Sequence, residues 1–216
     1  YADEGYHQVV AVDLLPGEFI VKHYFQRYSQ YFLTNLGNIY ATGRNDYGQL
    51  GLGDTTARNI FQRITSITNV THFSCENGND GAAFCTAVSN GKLYAWGYNG
   101  QYRFGTNDNV QRNSPQIITL GSIATKTIVK AYAIGDTYTS YGYIAAIDSN
   151  KNIHFCGVNG AGQFGIATGD FTTRNTFVQH PTMLVDQYFG SMYNSYAVSF
   201  ILYNGKLFTA GGYDTG

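Results

Sequence analysis

One segment of the chain is written three times. Residues 43–59 read GRNDYGQLGLGDTTARN, residues 97–113 read GYNGQYRFGTNDNVQRN, and residues 157–175 read GVNGAGQFGIATGDFTTRN. The opening glycines, Gly43, Gly97 and Gly157, continue to Gly211 at spacings of 54, 60 and 54 residues. A period of this size restricts the chain to one supersecondary unit copied along its length.

Before each opening glycine lies an apolar hairpin: FLTNLGNIYATG, CTAVSNGKLYAWG, AAIDSNKNIHFCG and FILYNGKLFTAG. Asn90-Gly91 and Asn204-Gly205 suit a two-residue turn in which both residues take positive φ. Leu36-Gly37 and Asn150-Lys151 occupy the matching places with weaker turn formers. After the opening glycine, Gly51, Gly105 and Gly165 each fall eight residues on, preceded by Leu50, Phe104 and Phe164. Asp54, Asp108 and Asp170 follow, each four residues before Arg58, Arg112 or Arg174 and then Asn59, Asn113 or Asn175.

Each period holds four short apolar runs, in the first near FIVKHYF, QYFLTN, NIYAT and FQRITSI. Four strands per 50-odd residues is the size of a propeller blade. No window shows clean helical periodicity. The expected fold is all-β, a β-propeller of four-stranded antiparallel blades. Residues 1–17 read as an N-terminal segment or the end of a preceding blade. The units lie near 18–71, 72–125, 126–182 and 183–216, the last incomplete. The six extra residues of the 60-residue interval fall between Asn113 and Ile153 and predict a longer loop there.

The pattern of apolar hairpin, W-G-x-N, G-Q-L-G and G-D resembles the repeats of the regulator of chromosome condensation family. It stands here as YAWGYN, GQLGLGD and GQFGIATGD. The resemblance runs from about residue 18 to the end and implies a seven-bladed propeller. Thr42, Cys156 and Ala210 replace the tryptophan held at Trp96, and Tyr102-Arg103 replaces Gly-Gln. Three units and a fourth cut at its motif do not close seven blades, so the chain is expected to be a piece of a larger ring.

Composition bears on partners. The formal net charge is −1 and charged residues make up 12%, which removes the electrostatic case for nucleic acid. No apolar run is long enough to span a membrane. GAGQFG at 160–165 matches a dinucleotide fingerprint formally, but GIATGDFTTRN offers no helix to follow it. The five histidines (His7, His23, His72, His154, His180) lack metal-ligand spacing. His154 aligns with Tyr40, Tyr94 and Phe208 and is expected in a packing position. Cys75 and Cys85 flank a Gly/Asn-rich turn; a disulfide is open to them, and buried free thiols are the expected state. Asn69-Val70-Thr71 is a glycosylation triplet, which carries weight only in a secreted chain.

The Asp54–Arg58, Asp108–Arg112 and Asp170–Arg174 pairs are expected to be loop staples, each carboxylate accepting local N–H bonds and a guanidinium. One carboxylate per loop is too few for calcium, so no metal or other cofactor is expected. Tyrosines in the loops, Tyr47, Tyr98, Tyr102 and Tyr213, either cover the loop backbones or give a recognition rim a large contact area at low entropic cost. A protein or glycan contact is placed on Arg44, Asn45, Tyr47, Tyr98, Asn99, Tyr102, Val158 and Asn159.

The expected function is a non-catalytic interaction propeller in a virion, such as a phage tail fibre or capsid surface, or in another extracellular assembly. The alternative is a eukaryotic guanine-nucleotide exchange propeller, the role best known for the family, or a chromatin-associated scaffold propeller, placed in the nucleus or cytoplasm. Other expected contacts are with the remainder of the same propeller chain.

Overall fold

The computed structural model describes residues 11–76, 82–136, 141–193 and 196–212. They form four antiparallel sheets in chain order. The first holds β1 (Ile20–Phe25), β2 (Ser29–Thr34), β3 (Ile39–Gly43) and β4 (Arg58–Arg63). The second holds β5 (Val70–Glu76), β6 (Phe84–Ser89), β7 (Lys92–Gly97) and β8 (Arg112–Ile117). The third holds β9 (Ile128–Gly135), β10 (Gly142–Asp148), β11 (Asn152–Gly157) and β12 (Arg174–Leu184). The fourth holds β13 (Gln187–Tyr193), β14 (Tyr196–Tyr203) and β15 (Lys206–Gly211). Apart from one 3-10 turn at Gly100–Tyr102, the described regular structure is strand.

Each strand is followed by its sheet neighbour, so each sheet is a meander and the chain steps from its outer strand to the inner strand of the next. The step from β4 to β5 takes residues 64–69, whereas that from β8 to β9 takes 118–127. The longer connection folds back so that Gly121 bridges Phe177 and Ser122 N–H donates to the Phe177 carbonyl at 2.8 Å. The inner strands β5, β9 and β13 run beside one another and line a cleft of about 460 Å³.

The core is divided into seams between sheets. Tyr31, Leu33 and Ile39 of the first sheet meet Phe73, Ala87 and Trp96 of the second. Phe84, Val88 and Leu93 meet Ile144, Ala146 and Cys156 of the third. Tyr143, Ile147 and Phe155 meet Tyr188, Ala197 and Ile201 of the fourth. Strand alternation sends every second residue to one seam and the intervening ones to the other, which makes β6 and β10 buried throughout.

The opening glycines sit where strand three of each sheet turns into its loop. Gly43, Gly97, Gly157 and Gly211 have φ of +108°, +95°, +99° and +90°. A Cβ there would lie 2.3, 2.6, 2.6 and 2.1 Å from the carbonyl oxygens of Tyr28, Ala83, Gly142 and Ala197. Only glycine meets both conditions.

Cys75 and Cys85 are bridged, with Cα atoms 4.1 Å apart. This differs from the free thiols expected from sequence. The two cysteines fall directly opposite one another in the β5–β6 register, where cross-strand side chains are adjacent. Cys156 is a buried free thiol.

The segment before β1 is pinned by Glu18. Its carboxylate accepts from Thr34 Oγ1 at 2.6 Å, Asn38 Nδ2 at 2.7 Å, Tyr40 Oη at 2.9 Å and Leu15 N–H at 2.8 Å. Burial alone would raise its pKa, but these four bonds outweigh it and hold the group at about 2.

Candidate interaction face

The connections from third to fourth strand in the first three sheets open at the same end of the molecule, because neighbouring strands are antiparallel. The repeated glycine-rich loops therefore gather on one face. Each is built around a buried asparagine. Asn45 Oδ1 accepts from Leu50 N–H, Asn99 Oδ1 from Phe104 N–H and Asn159 Oδ1 from Phe164 N–H, all at 2.9 Å. Their amide groups donate to the carbonyls of Asp54, Asp108 and Asp170. All three asparagines are fully buried.

The acid–arginine pairs lock the far side of each loop. Arg58 Nη2 reaches Asp54 Oδ2 at 2.7 Å, Arg112 reaches Asp108 at 2.8 Å, and Arg174 reaches Asp170. The other oxygen of each carboxylate accepts from the N–H two residues on, at Thr56, Val110 and Thr172. A second guanidinium nitrogen donates to the carbonyls of Thr56, Val110 and Thr172. All three carboxyl groups titrate below the ordinary aspartate value. For Asp54 the largest cause is Arg58; for Asp170 it is the Thr172 N–H; at Asp108 burial opposes the shift, and Val110 N–H and Arg112 overcome it.

The asparagines after Arg112 and Arg174 have a different task. The Asn113 carbonyl accepts from Gly53 N–H of the preceding loop, and the Asn175 carbonyl accepts from Asn107 N–H, both at 2.9 Å. The loops thus knit successive sheets together. A second tie lies beneath them. Trp96 Nε1 donates to the Gln49 carbonyl at 2.9 Å, and Tyr31 Oη donates to the same oxygen at 3.0 Å. At the next seam Cys156 Sγ takes the tryptophan place and meets the Arg103 carbonyl at 3.1 Å, with Phe177 filling the remaining volume against Gly105.

The recurring residues are therefore architectural, and four of those expected at a contact surface are buried. Asn45, Asn99 and Asn159 hold the loop backbones, and Val158 is 7% exposed. Sequence recurrence itself was the signal for this, since a residue needed by every loop is needed by the fold. Tyr102 is half-buried at φ +58°, its N–H donating to Asn109 Oδ1. What remains on the surface varies between repeats. The Tyr47 and Tyr98 rings meet edge to face at 5.0 Å, joining the first two loops. Arg44 lies over the Tyr28 ring at 5.3 Å and pairs with Asp46. Beneath Tyr98, the fully buried Arg103 stacks between it and Phe84 at 4.8 and 4.6 Å. Tyr28 was not singled out by sequence, because its role depends on the β1–β2 loop lying beside Arg44. Tyr213 and His7 lie outside the described residues.

A Ser–His–Asp chain exists at the opposite end. Ser122 Oγ meets His154 Nδ1 at 2.8 Å, and His154 Nε2 meets Asp148 Oδ2 at 3.3 Å. Asp148 also accepts from Asn150 N–H, Asn152 N–H and Asn152 Nδ2, closing the β10–β11 hairpin. Burial keeps His154 neutral, below its ordinary pKa, against the pull of Asp148. With its imidazole fully buried, the chain ties the 118–127 connection to that hairpin. Among the described residues, no group of three His, Cys, Asp or Glu side chains is placed to hold a metal ion.

Comparison with known proteins agrees with this geometry. The model of the regulator of chromosome condensation (RCC1) repeat matches residues 37–80 and 90–140. The chain is 38% identical over 89 residues to the human X-linked retinitis pigmentosa GTPase regulator, covering 41% of this chain and 8% of that protein. It is 30% identical over 150 residues to the mouse probable E3 ubiquitin-protein ligase HERC4, covering 68% of this chain and 13% of that one. Among solved structures it resembles human WBSCR16 (TM-score 0.68, 16% identity, 90% of this chain and 47% of that chain). It also resembles Prp20p from Saccharomyces cerevisiae (TM-score 0.65, 15% identity, 93% and 47%). The chain thus spans about half of these solved propellers and a small part of the relatives. With its meander blades and its loop-to-loop ties, it is a propeller segment that carries RCC1 repeats at residues 37–80 and 90–140.

Proposed function

We propose that this chain is a non-catalytic interaction propeller that presents the loop face around Tyr28, Arg44, Tyr47 and Tyr98 to a protein partner. The carrying observation is that this aromatic and arginine cluster spans two blades while the loop residues beneath it are consumed by the fold. Tyrosine and arginine are the residue types enriched where protein surfaces meet. Prp20p is described by its binding to Gsp1p and histones, and a relative in sequence is a GTPase regulator. Both favour the alternative drawn from sequence, an intracellular scaffold or exchange-type propeller. The virion and glycan readings rested on composition alone, and these relatives lend them no support.

A photo-activatable residue placed at Tyr98 or at Asn204, on the opposite end, tests the reading. Cross-links from position 98 to a defined protein, lost with Arg44→Ala and Tyr47→Ala together, are expected. Cross-links only from position 204 would overturn it. Acceleration of nucleotide release from a small GTPase would favour exchange activity over scaffolding.

A further inference from the structure

The second sheet carries a covalent rung that its sister sheets do without. Cys75 and Cys85 face each other across β5 and β6, and Cys85 in turn faces Trp96, the residue before an opening glycine. That glycine locates the same rung in every sheet. It is Phe25 opposite Gln30 in the first, Ala133 opposite Ile144 in the third and Gly190 opposite Ser199 in the fourth. All three pair in register without a bridge, so the blade does not require one at this place. Residues 77–83 join the first two strands of the second sheet, the longest of the four such connections; residues 26–28, 136–141 and 194–195 join those of the others.

Ala83, two residues before Cys85, holds a loop of the candidate face. Its carbonyl accepts from Tyr98 N–H at 3.0 Å, just after the Gly97 turn. The Tyr28 carbonyl does the same for Arg44 N–H at 2.8 Å, and the Gly142 carbonyl for Val158 N–H at 3.1 Å. Only in the second sheet is the strand that carries this acceptor bridged to its neighbour by sulfur. The two cysteines differ in access. Cys85 is fully buried, with Sγ 3.8 Å from the Gln49 carbonyl oxygen, whereas Cys75 is half-buried at the margin of the seam. An external thiolate is therefore directed to Cys75 Sγ.

We propose that the Cys75–Cys85 bridge is a site of reversible thiol–disulfide exchange that sets how firmly Tyr98 is held. The thiolate of a small thiol or dithiol reductant bonds to Cys75 Sγ as the S–S bond breaks. Cys85 leaves with the electron pair and takes up the proton that the reductant gave up. A second reductant thiol displaces the first from Cys75, so the reductant ends as a disulfide and both cysteines as thiols. The Cys85 thiol then faces the Gln49 carbonyl as a donor. With the covalent rung gone, the ends of β5 and β6 open locally at low free energy, and the Ala83–Tyr98 bond opens with them. In a reducing compartment, where the intracellular reading above places the chain, such a bridge opens and closes. Any effect on partner binding rests on the loop face proposed above; the exchange site itself does not.

The test incubates the 216-residue chain with dithiothreitol under native conditions and counts thiols by maleimide labelling. Cys75 and Cys85 are expected to become labelled, and Cys156 to stay unlabelled because it is buried. Amide hydrogen exchange then compares the two states. Tyr98 should exchange about tenfold faster or more after reduction, while Arg44 and Val158, beside unbridged rungs, keep their rates. Cys75→Ser/Cys85→Ser should show the reduced pattern without reductant and an unchanged circular dichroism spectrum. Cys85→Ser, which leaves Cys75, should form a mixed disulfide with oxidised glutathione, and Cys75→Ser should not. Labelling that appears only in denaturant, or a Tyr98 exchange rate indifferent to reduction, would overturn the proposal. Neither outcome bears on whether the loop face binds a protein.

Discussion

Trp96 donates its indole N–H to the carbonyl of Gln49, a residue of the preceding blade. The bond joins the third strand of one sheet to the loop of the last, beside Gly51, whose φ is +71° and whose Cβ, if present, would lie 2.8 Å from the indole nitrogen. Trp96→Ala should therefore cost about 3–5 kcal/mol, chiefly through the cavity, since Tyr31 Oη still donates to the Gln49 carbonyl. Trp96→Phe should cost less, since it keeps most of the packing. Urea denaturation of the two variants checks the order.

Asn99 is the centre of its loop. Removing it in Asn99→Ala leaves Phe104 N–H buried without its acceptor, a loss of about 1–3 kcal/mol. Hydrogen exchange at the Phe104 amide should accelerate markedly, with little change at Phe164 in the next loop. Uniform acceleration in both loops would show that the loops open together.

Asp108→Ala should loosen its own loop and leave the others closed. The pair with Arg112 is partly exposed, so the loss is about 1 kcal/mol, shared with the bond to Val110 N–H. Thermal melting of the variant is the measurement, and a shift no larger than that of an exposed Lys→Ala control would remove the staple role.

Glu18 makes stability pH-dependent in a defined window. Its folded pKa of about 2 lies below the ordinary 4.5, so its contribution is present above about pH 4.5 and is lost as pH falls toward 2. The full linkage is on the order of 3 kcal/mol. Glu18→Gln should be less stable at pH 7 and should show a flatter fall below pH 5, which denaturant melts at pH 3, 5 and 7 will resolve.

Reduction of the Cys75–Cys85 bridge should lower stability by roughly 2–4 kcal/mol, since it closes the β5–β6 hairpin in the unfolded chain as well. Cys75→Ser/Cys85→Ser should melt like the reduced wild type.

Several levels of this architecture were legible in the residues alone. The repeat spacing, the hairpins with Asn-Gly turns and the recurrent Asp-x-x-x-Arg pairs are local signals, set by backbone conformation and side-chain reach over a few positions. That is why the all-β repeat of four-stranded antiparallel blades could be read without coordinates. The identity of the exposed side chains could not. Asn45, Asn99 and Asn159 look like surface residues by type, and only the closing of each loop around their amides buries them. The Cys75–Cys85 bridge depends on strand register, and the meeting of Trp96 with Gln49 depends on how one blade leans on the next. Those contacts depend on register and on how blades pack, so no local pattern encodes them, and the tertiary structure alone decides which side chains of the repeat hold the blades together and which stay exposed.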